Sequence, residues 1–399
     1  MRLLLAWELG GGLGHMTTLA SLTRYLSDNG HQVAYALRDI DTAKHFHQPN
    51  QYLVYQAPVL GIRGPNTTAA YDCADMLLIR GYEDTPYLKF GVEKWQEIFT
   101  DYQPDAVVCD HAPSARLAAY IAGIPSYAIG NGFSVPPLTI PLQNLHQLEN
   151  PDLERIRNNE ARLNNCVNQL LNQYGLPNVA RAVELFYGGT TFIRTFKELD
   201  QYSQRDDTAF YGMPYDQIDG IEAVWPNYSN KKVFVYLYSS DPVLPRLLSV
   251  LHQLGIDTLF YSKIDEIPLN FTINSKHIKF SSSPFNISDI ADKCDLIVCR
   301  GGSNTVAAGL LQGIPLMTFP THIEQQMTCK SLARQNLGMV LNQNADNKTL
   351  ESAINHCLSS NKISEATTSF STQYRDYNPE KVTENIAQQI LNNTSQNNQ

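Results

Sequence analysis

The sequence has no apolar run near the roughly 20 residues that a transmembrane helix requires. Its seven cysteines include no CxxC pair, so neither a dithiol redox motif nor a zinc ribbon is written into it. Long basic runs are missing too. With Lys+Arg 30 against Asp+Glu 39, the formal net charge is −9, which excludes nucleic acid as a partner. Charged residues make up only 17% against 43% hydrophobic, the balance of a soluble globular chain. Met1-Arg2-Leu3-Leu4-Leu5-Ala6-Trp7 carries one charge and is followed by Glu8, with no cleavage-site pattern, so it reads as a first strand and not a signal peptide. Cys109 and Cys299 lie inside apolar runs, where reduced and buried thiols are expected, and a cytoplasmic location fits. At 399 residues the chain exceeds one ordinary core and suits two domains.

Residues 295–326, DLIVCRGGSNTVAAGLLQGIPLMTFPTHIEQQ, organise what is present. Leu296 to Cys299 reads as a buried strand. Arg300-Gly301-Gly302-Ser303 turns into a helix bearing Val306, Ala307, Leu310 and Leu311 on one side. Gly313 ends that helix, and Pro315 bars its continuation. Such a strand, glycine turn and helix start aim free backbone N–H groups and a positive dipole end above the sheet, which suits a diphosphate. A tight turn with no ligand is the plain alternative.

The order of residues in this stretch resembles the donor-binding signature of nucleotide-sugar glycosyltransferases of the GT-B fold, HGGxGTxxEALxxGVPxxxxPxxxDQ. Gly301, Gly302, Thr305, Leu310, Gly313, Pro315, Pro320 and Gln325 match it, and Ile314 and Glu324 match conservatively. The resemblance extends to UDP-glycosyltransferase-like proteins and to the N-acetylglucosamine transferase of lipid-linked peptidoglycan precursor synthesis. Three positions depart from the pattern: Arg300 replaces His, Asn304 replaces Gly, and Ala308 replaces the Glu that holds the donor ribose in relatives. The resemblance implies an α/β architecture, the GT-B fold of two facing doubly wound Rossmann-like domains with a cleft between them. It also implies donor contacts from Arg300, Gly301, Gly302, Ser303, Asn304, Thr305, Glu324 and Gln325.

Near the N-terminus, strand Leu3–Trp7 leads into Glu8-Leu9-Gly10-Gly11-Gly12-Leu13-Gly14-His15, and Met16, Leu19, Leu22 and Leu26 recur at helical spacing up to Gly30. GGGLGH lacks the GxGxxG spacing of a dinucleotide fingerprint. It resembles instead the glycine loop ending in His that opens the acceptor domain of GT-B transferases. Asp39-Ile40-Asp41 is a DxD triplet, but directly after a strand it reads as a loop or helix cap and not as a metal site. Residues 57–87 read as loop. Residues 105–125 echo 295–315 at one constant offset with no gap: Asp105, Val108, Cys109, Ala118, Gly123, Ile124 and Pro125 recur as Asp295, Val298, Cys299, Ala308, Gly313, Ile314 and Pro315. Two units built on one plan follow, with Asp110 and Arg300 at equivalent strand ends, where open α/β sheets bind ligands. In the resembling families an Asp at the place of Asp110 orients the loop histidine. That gives His15 and Asp110 as a catalytic pair, with His111 adjoining it.

Phe133 to Leu142 is too proline-rich for regular structure, and the region to about Ala182 would shape an acceptor pocket in a GT-B protein. Its apolar side chains and prolines suit an apolar, amphipathic or lipid-linked acceptor, with peripheral contact with a membrane, or equally a plain surface loop. The expected division is 1–212 for the acceptor domain, 213–230 for a linker and 231–370 for the donor domain. Residues 371–391 form a helix returning to domain one, and 392–399 a disordered tail. Strands are expected at Lys232–Tyr238, Thr258–Tyr261 and His277–Phe280, and a short helix at Ser288–Asp292. Ser239 is placed to donate to phosphate or to cap a helix, and Phe285 to pack against the donor base or in the core.

The resemblance implies a hexosyltransferase. It would move a sugar from a nucleoside-diphosphate sugar, a UDP-sugar among them, to a hydroxyl-bearing small molecule, lipid or glycan. It would invert the anomeric centre and use no metal or other cofactor. A nucleotide-sugar epimerase or hydrolase on the same fold, or a non-catalytic sugar-nucleotide-binding partner subunit, are the competing readings.

Overall fold

The computed structural model describes residues 1–48, 50–61, 69–202, 205, 209–214, 220–262, 275–286, 289–290 and 293–397. The chain divides into two compact units, Met1–Pro214 with Asn378–Gln399, and Tyr215–Tyr377. Each is built on a six-stranded sheet paired in parallel throughout. No helix among the described residues is long and apolar enough to cross a membrane.

In the first unit the strands are β1 (Arg2–Trp7), β2 (Gln32–Leu37), β3 (Leu53–Gln56), β4 (Ala106–Asp110), β5 (Ser126–Gly130) and β6 (Thr191–Ile193), in spatial order β3-β2-β1-β4-β5-β6. β1 is apolar from Leu3 to Trp7 because both of its faces are covered. Leu3, Leu5 and Trp7 pack with Met16, Leu19, Leu22 and Leu26 of helix α1 (Gly14–Asp28), while Leu4 and Ala6 join the opposite layer. That second layer contains Leu88, Val92, Trp95 and Phe99 of the helix Thr85–Tyr102.

Residues 73–87 differ from the expected loop, while 62–68 of that stretch lie outside the described residues. Cys73–Leu77 and Leu78–Tyr82 form short helical turns, and the long helix already starts at Thr85. Aspartates cap two of these starts: Asp72 accepts from Asp75 N–H and Asp84 from Tyr87 N–H. The expected disordered tail is corrected as well. The last helix runs from Pro379 to Asn397, because Ile386 and Ile390 are fully buried beneath α1 and β1, each contributing about 1.5–3 kcal/mol. Thr394 is buried and shares a hydrogen bond of 3.0 Å with Tyr127. That helix starts at Pro379, whereas residues 371–373 end a separate helix, Asn361–Gln373, within the second unit.

The second unit repeats the plan: β7 (Lys232–Tyr236), β8 (Asp257–Tyr261), β9 (Ile278–Ser281), β10 (Leu296–Cys299), β11 (Leu316–Thr318) and β12 (Gly338–Val340), in order β12-β11-β10-β7-β8-β9. Part of the expected linker is folded onto it. Ile221 bridges Phe285, and Gly220 N–H donates to Asn286 Oδ1 at 2.9 Å. Residues 215–219 of that linker, and most of the expected helix Ser288–Asp292, lie outside the described residues.

The internal echo falls on topologically equivalent elements. β4 and β10 are each the fourth strand of their unit and lie beside its first strand. Asp105 Oδ2 accepts from Arg2 N–H at 2.7 Å, and Asp295 Oδ2 accepts from Lys232 N–H at 2.8 Å. The repeated aspartate therefore pins the start of the neighbouring first strand in both units. Gly123 (φ 68°) and Gly313 (φ 73°) each reverse the chain after the following helix in the left-handed region open to glycine.

Candidate active site

Open α/β sheets bind ligands at the carboxyl ends of their strands, where the strand order reverses. In the first unit that point lies between β1 and β4, and both residues of the expected pair are there. His15, in the first turn of α1, has its Nδ1 at 2.9 Å from Asp110 Oδ1, and Asp110 is 2% exposed. A carboxylate only accepts, so Nδ1 carries the proton and Nε2 keeps a lone pair. Trp7 stacks on the imidazole at 5.2 Å and 22°, fixing its plane. Gly10 has φ 86°, and a Cβ there would lie 2.4 Å from His15 Nε2. Glycine at position 10 therefore leaves the space that His15 Nε2 occupies. At the other end, a Cβ on Gly130 would meet Asp110 Oδ1 at 2.9 Å.

His111 follows Asp110 at φ 49°, an uncommon conformation for a residue with a side chain. Its carbonyl accepts from Leu9 N–H at 2.9 Å, tying the glycine loop to the end of β4. The ring is 7% exposed and 6.1 Å from His15, centroid to centroid, and its Nε2 is buried without a hydrogen-bond partner. Burial pushes its pKa down to about 3, with His15, Arg80 and Arg38 adding to the effect.

Glu8, between β1 and the glycine loop, is a site residue that sequence reasoning passed over. It is fully buried, and its two oxygens accept from Tyr82 Oη and Ser114 N–H, each at 2.9 Å. Burial raises its pKa to about 7 against the lowering effect of those bonds. The one signal was its type: a carboxylate directly after five apolar strand residues.

In the second unit the order reverses between β7 and β10. Arg300, after β10, does not stand alone. Its Nε lies 3.0 and 2.8 Å from the two carboxylate oxygens of Asp241 and its Nη2 lies 2.8 Å from Asp241 Oδ1, while its guanidinium carbon sits 3.7 Å from the centre of the Tyr238 ring. Asp241, 2% exposed, also accepts from Tyr238 N–H at 2.8 Å and from Gln343 Nε2 at 3.3 Å. None of Asp241, Tyr238 and Gln343 was singled out from sequence, since the pairing joins loops far apart in the chain. The guanidinium expected to face a diphosphate is therefore already charge-compensated.

Gly301 takes φ 87°, and a Cβ there would collide with Cys329 Sγ at 2.2 Å, so only glycine fits. Gly302 is the N-cap of the helix Ser303–Leu311. No side chain caps that helix, no acidic residue lies in its first turn, and a Cβ on Gly302 would meet nothing within 4 Å. Gly302, Ser303, Asn304 and Thr305 are half-buried around this open helix start. Ala308 lies one turn on and is 7% exposed. Glu324 and Gln325 occupy the first turn of the helix Ile323–Arg334, and Gln325 Oε1 accepts from Thr321 N–H and Oγ1 at 2.9 and 3.0 Å. His322 precedes that helix within electrostatic reach of Glu324 and Arg300.

Ser239 is half-buried after β7, in the loop that Asp241 closes. Phe285 is 6% exposed and edge-on to Phe234 at 6.3 Å, so it belongs to the packing of the unit and not to an open face. Asp39, from the DxD triplet, caps the short helix Ile40–His45 through Asp41 N–H, while Asp41 pairs with Lys44.

Comparison with known proteins finds similarity over part of the chain and a shared fold over most of it. Residues 236–378 match the glycosyltransferase family 28 C-terminal domain. The NDP-glycosyltransferase YjiC of Bacillus subtilis (strain 168) is 22% identical to this chain, the match covering 82% of each protein. Among solved structures, the glycotransferase of kitacinnamycin superposes with a TM-score of 0.68 at 17% identity, covering 97% of this chain and 98% of that one. Spinosyn rhamnosyltransferase SpnG complexed with thymidine diphosphate gives 0.67 at 15%, covering 97% and 100%. The same rhamnosyltransferase complexed with spinosyn aglycone gives 0.65 at 16%, again covering 97% and 100%.

Proposed function

We propose that this chain, a glycosyltransferase of the GT-B fold, moves a sugar from a nucleoside-diphosphate sugar to a hydroxyl of its acceptor with inversion and without a metal. The observation that carries the proposal is the His15–Asp110 pair, 2.9 Å apart beside a glycine loop in which a side chain at Gly10 would collide with Nε2. In a single displacement the acceptor oxygen attacks the anomeric carbon while His15 Nε2 takes its proton. The bond to the diphosphate breaks on the opposite side, and the electron pair leaves with the phosphate. Asp110 holds the tautomer and stabilises the imidazolium that forms.

The departing diphosphate needs hydrogen-bond donors fixed in advance. The uncapped helix start at Gly302–Thr305 supplies backbone N–H groups and a positive dipole end for it. Arg300, held by Asp241, contributes a dipole more than a free charge. Glu324 and Gln325 would hold hydroxyls of the donor sugar. Ala308 offers no carboxylate to a ribose 2′-hydroxyl. Together with the thymidine diphosphate bound by the spinosyn rhamnosyltransferase, this supports a donor whose nucleoside is not held through that hydroxyl. The described cysteines are all free thiols and mostly buried, which supports a reducing, cytoplasmic location.

His15→Ala should lower transfer by roughly 10²–10⁴-fold while calorimetric binding of thymidine diphosphate stays near the wild-type value. The anomeric configuration of the product, read by proton NMR, should be opposite to that of the donor, and EDTA should leave the rate unchanged. Undiminished transfer by the variant, or a product of retained configuration, would overturn the assignment.

A further inference from the structure

Two arginines at the carboxyl edge of the first sheet have no anion to serve. Arg38 directly follows β2, and its N–H donates to Trp7 O at 2.8 Å, so it sits beside the end of β1 where Glu8 begins. Arg80 belongs to the turn Leu78–Tyr82, in which Gly81 takes φ 85° and Tyr82 Oη reaches Glu8 Oε1 at 2.9 Å. Both arginines are half-buried. Among the described residues, neither guanidinium has a carboxylate within ion-pair distance, a side-chain hydrogen bond or an aromatic face against it. The acids close by are engaged elsewhere. Glu8 is saturated by Tyr82 and Ser114, Asp110 by His15, and Asp39 by Asp41 N–H.

The two cations act on each other and on their surroundings. Burial first and Arg38 second lower the pKa of Arg80, against the raising effect of Tyr82 and Glu8, and both arginines disfavour a proton on His111. His111, with a buried and unpartnered Nε2, is 6.1 Å from the ring of His15. Like charges held near each other with no carboxylate in ion-pair contact repel, and more so when partly desolvated. A fold that keeps them so beside a reaction centre stores an electrostatic demand that an anionic ligand satisfies.

We propose that Arg38 and Arg80 bind an acidic group, a carboxylate or a phosphate, carried by the acceptor, so that the enzyme glycosylates a hydroxyl of an anionic molecule. The proposal rests on the transferase reading, because it takes the first unit as the acceptor side. It changes the acceptor expected from the proline-rich segment, which was apolar or lipid-linked, to one with a charged end.

The test is calorimetric binding to the full chain with saturating thymidine diphosphate, which fills any phosphate site of the second unit. The probes are 4-hydroxyphenylacetate, its neutral isostere 4-hydroxyphenylacetamide, and phenyl phosphate. The expected result is that at least one acid binds about tenfold or more tightly than the amide. The stronger of the two acids tells carboxylate from phosphate. The Arg38→Gln/Arg80→Gln double variant should lose that preference with the amide unaffected. Arg38→Lys/Arg80→Lys, which keeps both charges, should retain most of it. Equal binding of amide and acids, absence of acid binding, or a preference that survives in the glutamine variant would each overturn the proposal. Sugar transfer is scored separately in the same samples. In the wild-type chain, no acid preference alongside intact transfer would count against the anion site alone, and a clear preference without any transfer would count against the transferase reading alone.

Discussion

Removing the Asp241 carboxylate should expose how far Arg300 depends on it. Asp241→Ala would strip the guanidinium of its three short contacts and deprive Tyr238 N–H and Gln343 of their acceptor. Breaking a buried pair by deleting one partner costs about 3–5 kcal/mol, because the remaining charge is left uncompensated. The side chain of Arg300 keeps 19% of its exposure, against 1% for Asp241, and water together with the Tyr238 face can take up part of the loss. The low end, about 3 kcal/mol, is therefore expected. A unit of this size shifts by about 2–4 °C per kcal/mol, so the melting transition of the second unit should fall by roughly 6–12 °C. Differential scanning calorimetry reads this directly. The double variant Asp241→Ala/Arg300→Met removes the orphaned charge along with its partner and should recover most of the loss, as replacements of whole ion pairs by apolar side chains do. A fall of less than about 2 °C in the single variant, or a double variant less stable than the single one, would refute the reasoning. Arg300 would then be held by its backbone and not by its charge.

Two further outcomes follow from the sites. Glu8 has a folded pKa of about 7 against an ordinary value of 4.5, so between those values the folded chain holds a proton that the unfolded chain has released. Stability contributed by that proton is fully present below about pH 4.5 and is lost as pH rises through about 7, by up to about 3 kcal/mol. Glu8→Gln should therefore gain on the wild type in urea midpoint between about pH 5 and 8, and a difference independent of pH would contradict the assignment. At the donor side, Ala308 cannot accept from a ribose 2′-hydroxyl, so calorimetry should find UDP and 2′-deoxy-UDP binding within about tenfold of each other, or ~1.4 kcal/mol; a larger preference for the ribo form would show that another side chain replaces the missing Glu.

What could be read from sequence was whatever depends on neighbours in the chain. The apolar runs at Leu3–Trp7 and Leu296–Cys299, the glycine turns, and the helix stops at Gly123 and Gly313 are local, and each became the element expected. The echo between residues 105–125 and 295–315 was legible for the same reason. The structure adds the cause of its most polar member, since Asp105 and Asp295 both clamp the first residue of the adjacent strand. Illegible features were those made by contacts between distant segments. Polar residues around 57–87 looked like loop because the burial that makes helices of Cys73–Leu77 and Thr85–Tyr102 comes from a remote layer. The Asn-rich C-terminus looked disordered because nothing in it shows that Thr394 will meet Tyr127.

The site itself divides along the same line. The echo located Asp110 at a strand end and the glycine loop located His15, but their pairing came from the resemblance, in which an Asp at that place orients the loop histidine. Asp241 could have been found by the same route. It follows the first strand of its unit as His15 follows β1, and Arg300 stands where Asp110 does. Each unit therefore places an acid and a base across the point where its strand order reverses, with the order exchanged: His15 then Asp110 in one, Asp241 then Arg300 in the other. In the first unit the carboxylate lies at the fourth strand and orients an imidazole through its Nδ1. In the second it lies in the loop after the first strand and ties down a permanent cation. A duplicated architecture thus yields a carboxylate–imidazole pair in one unit and a charge-compensated guanidinium beside a helix start in the other.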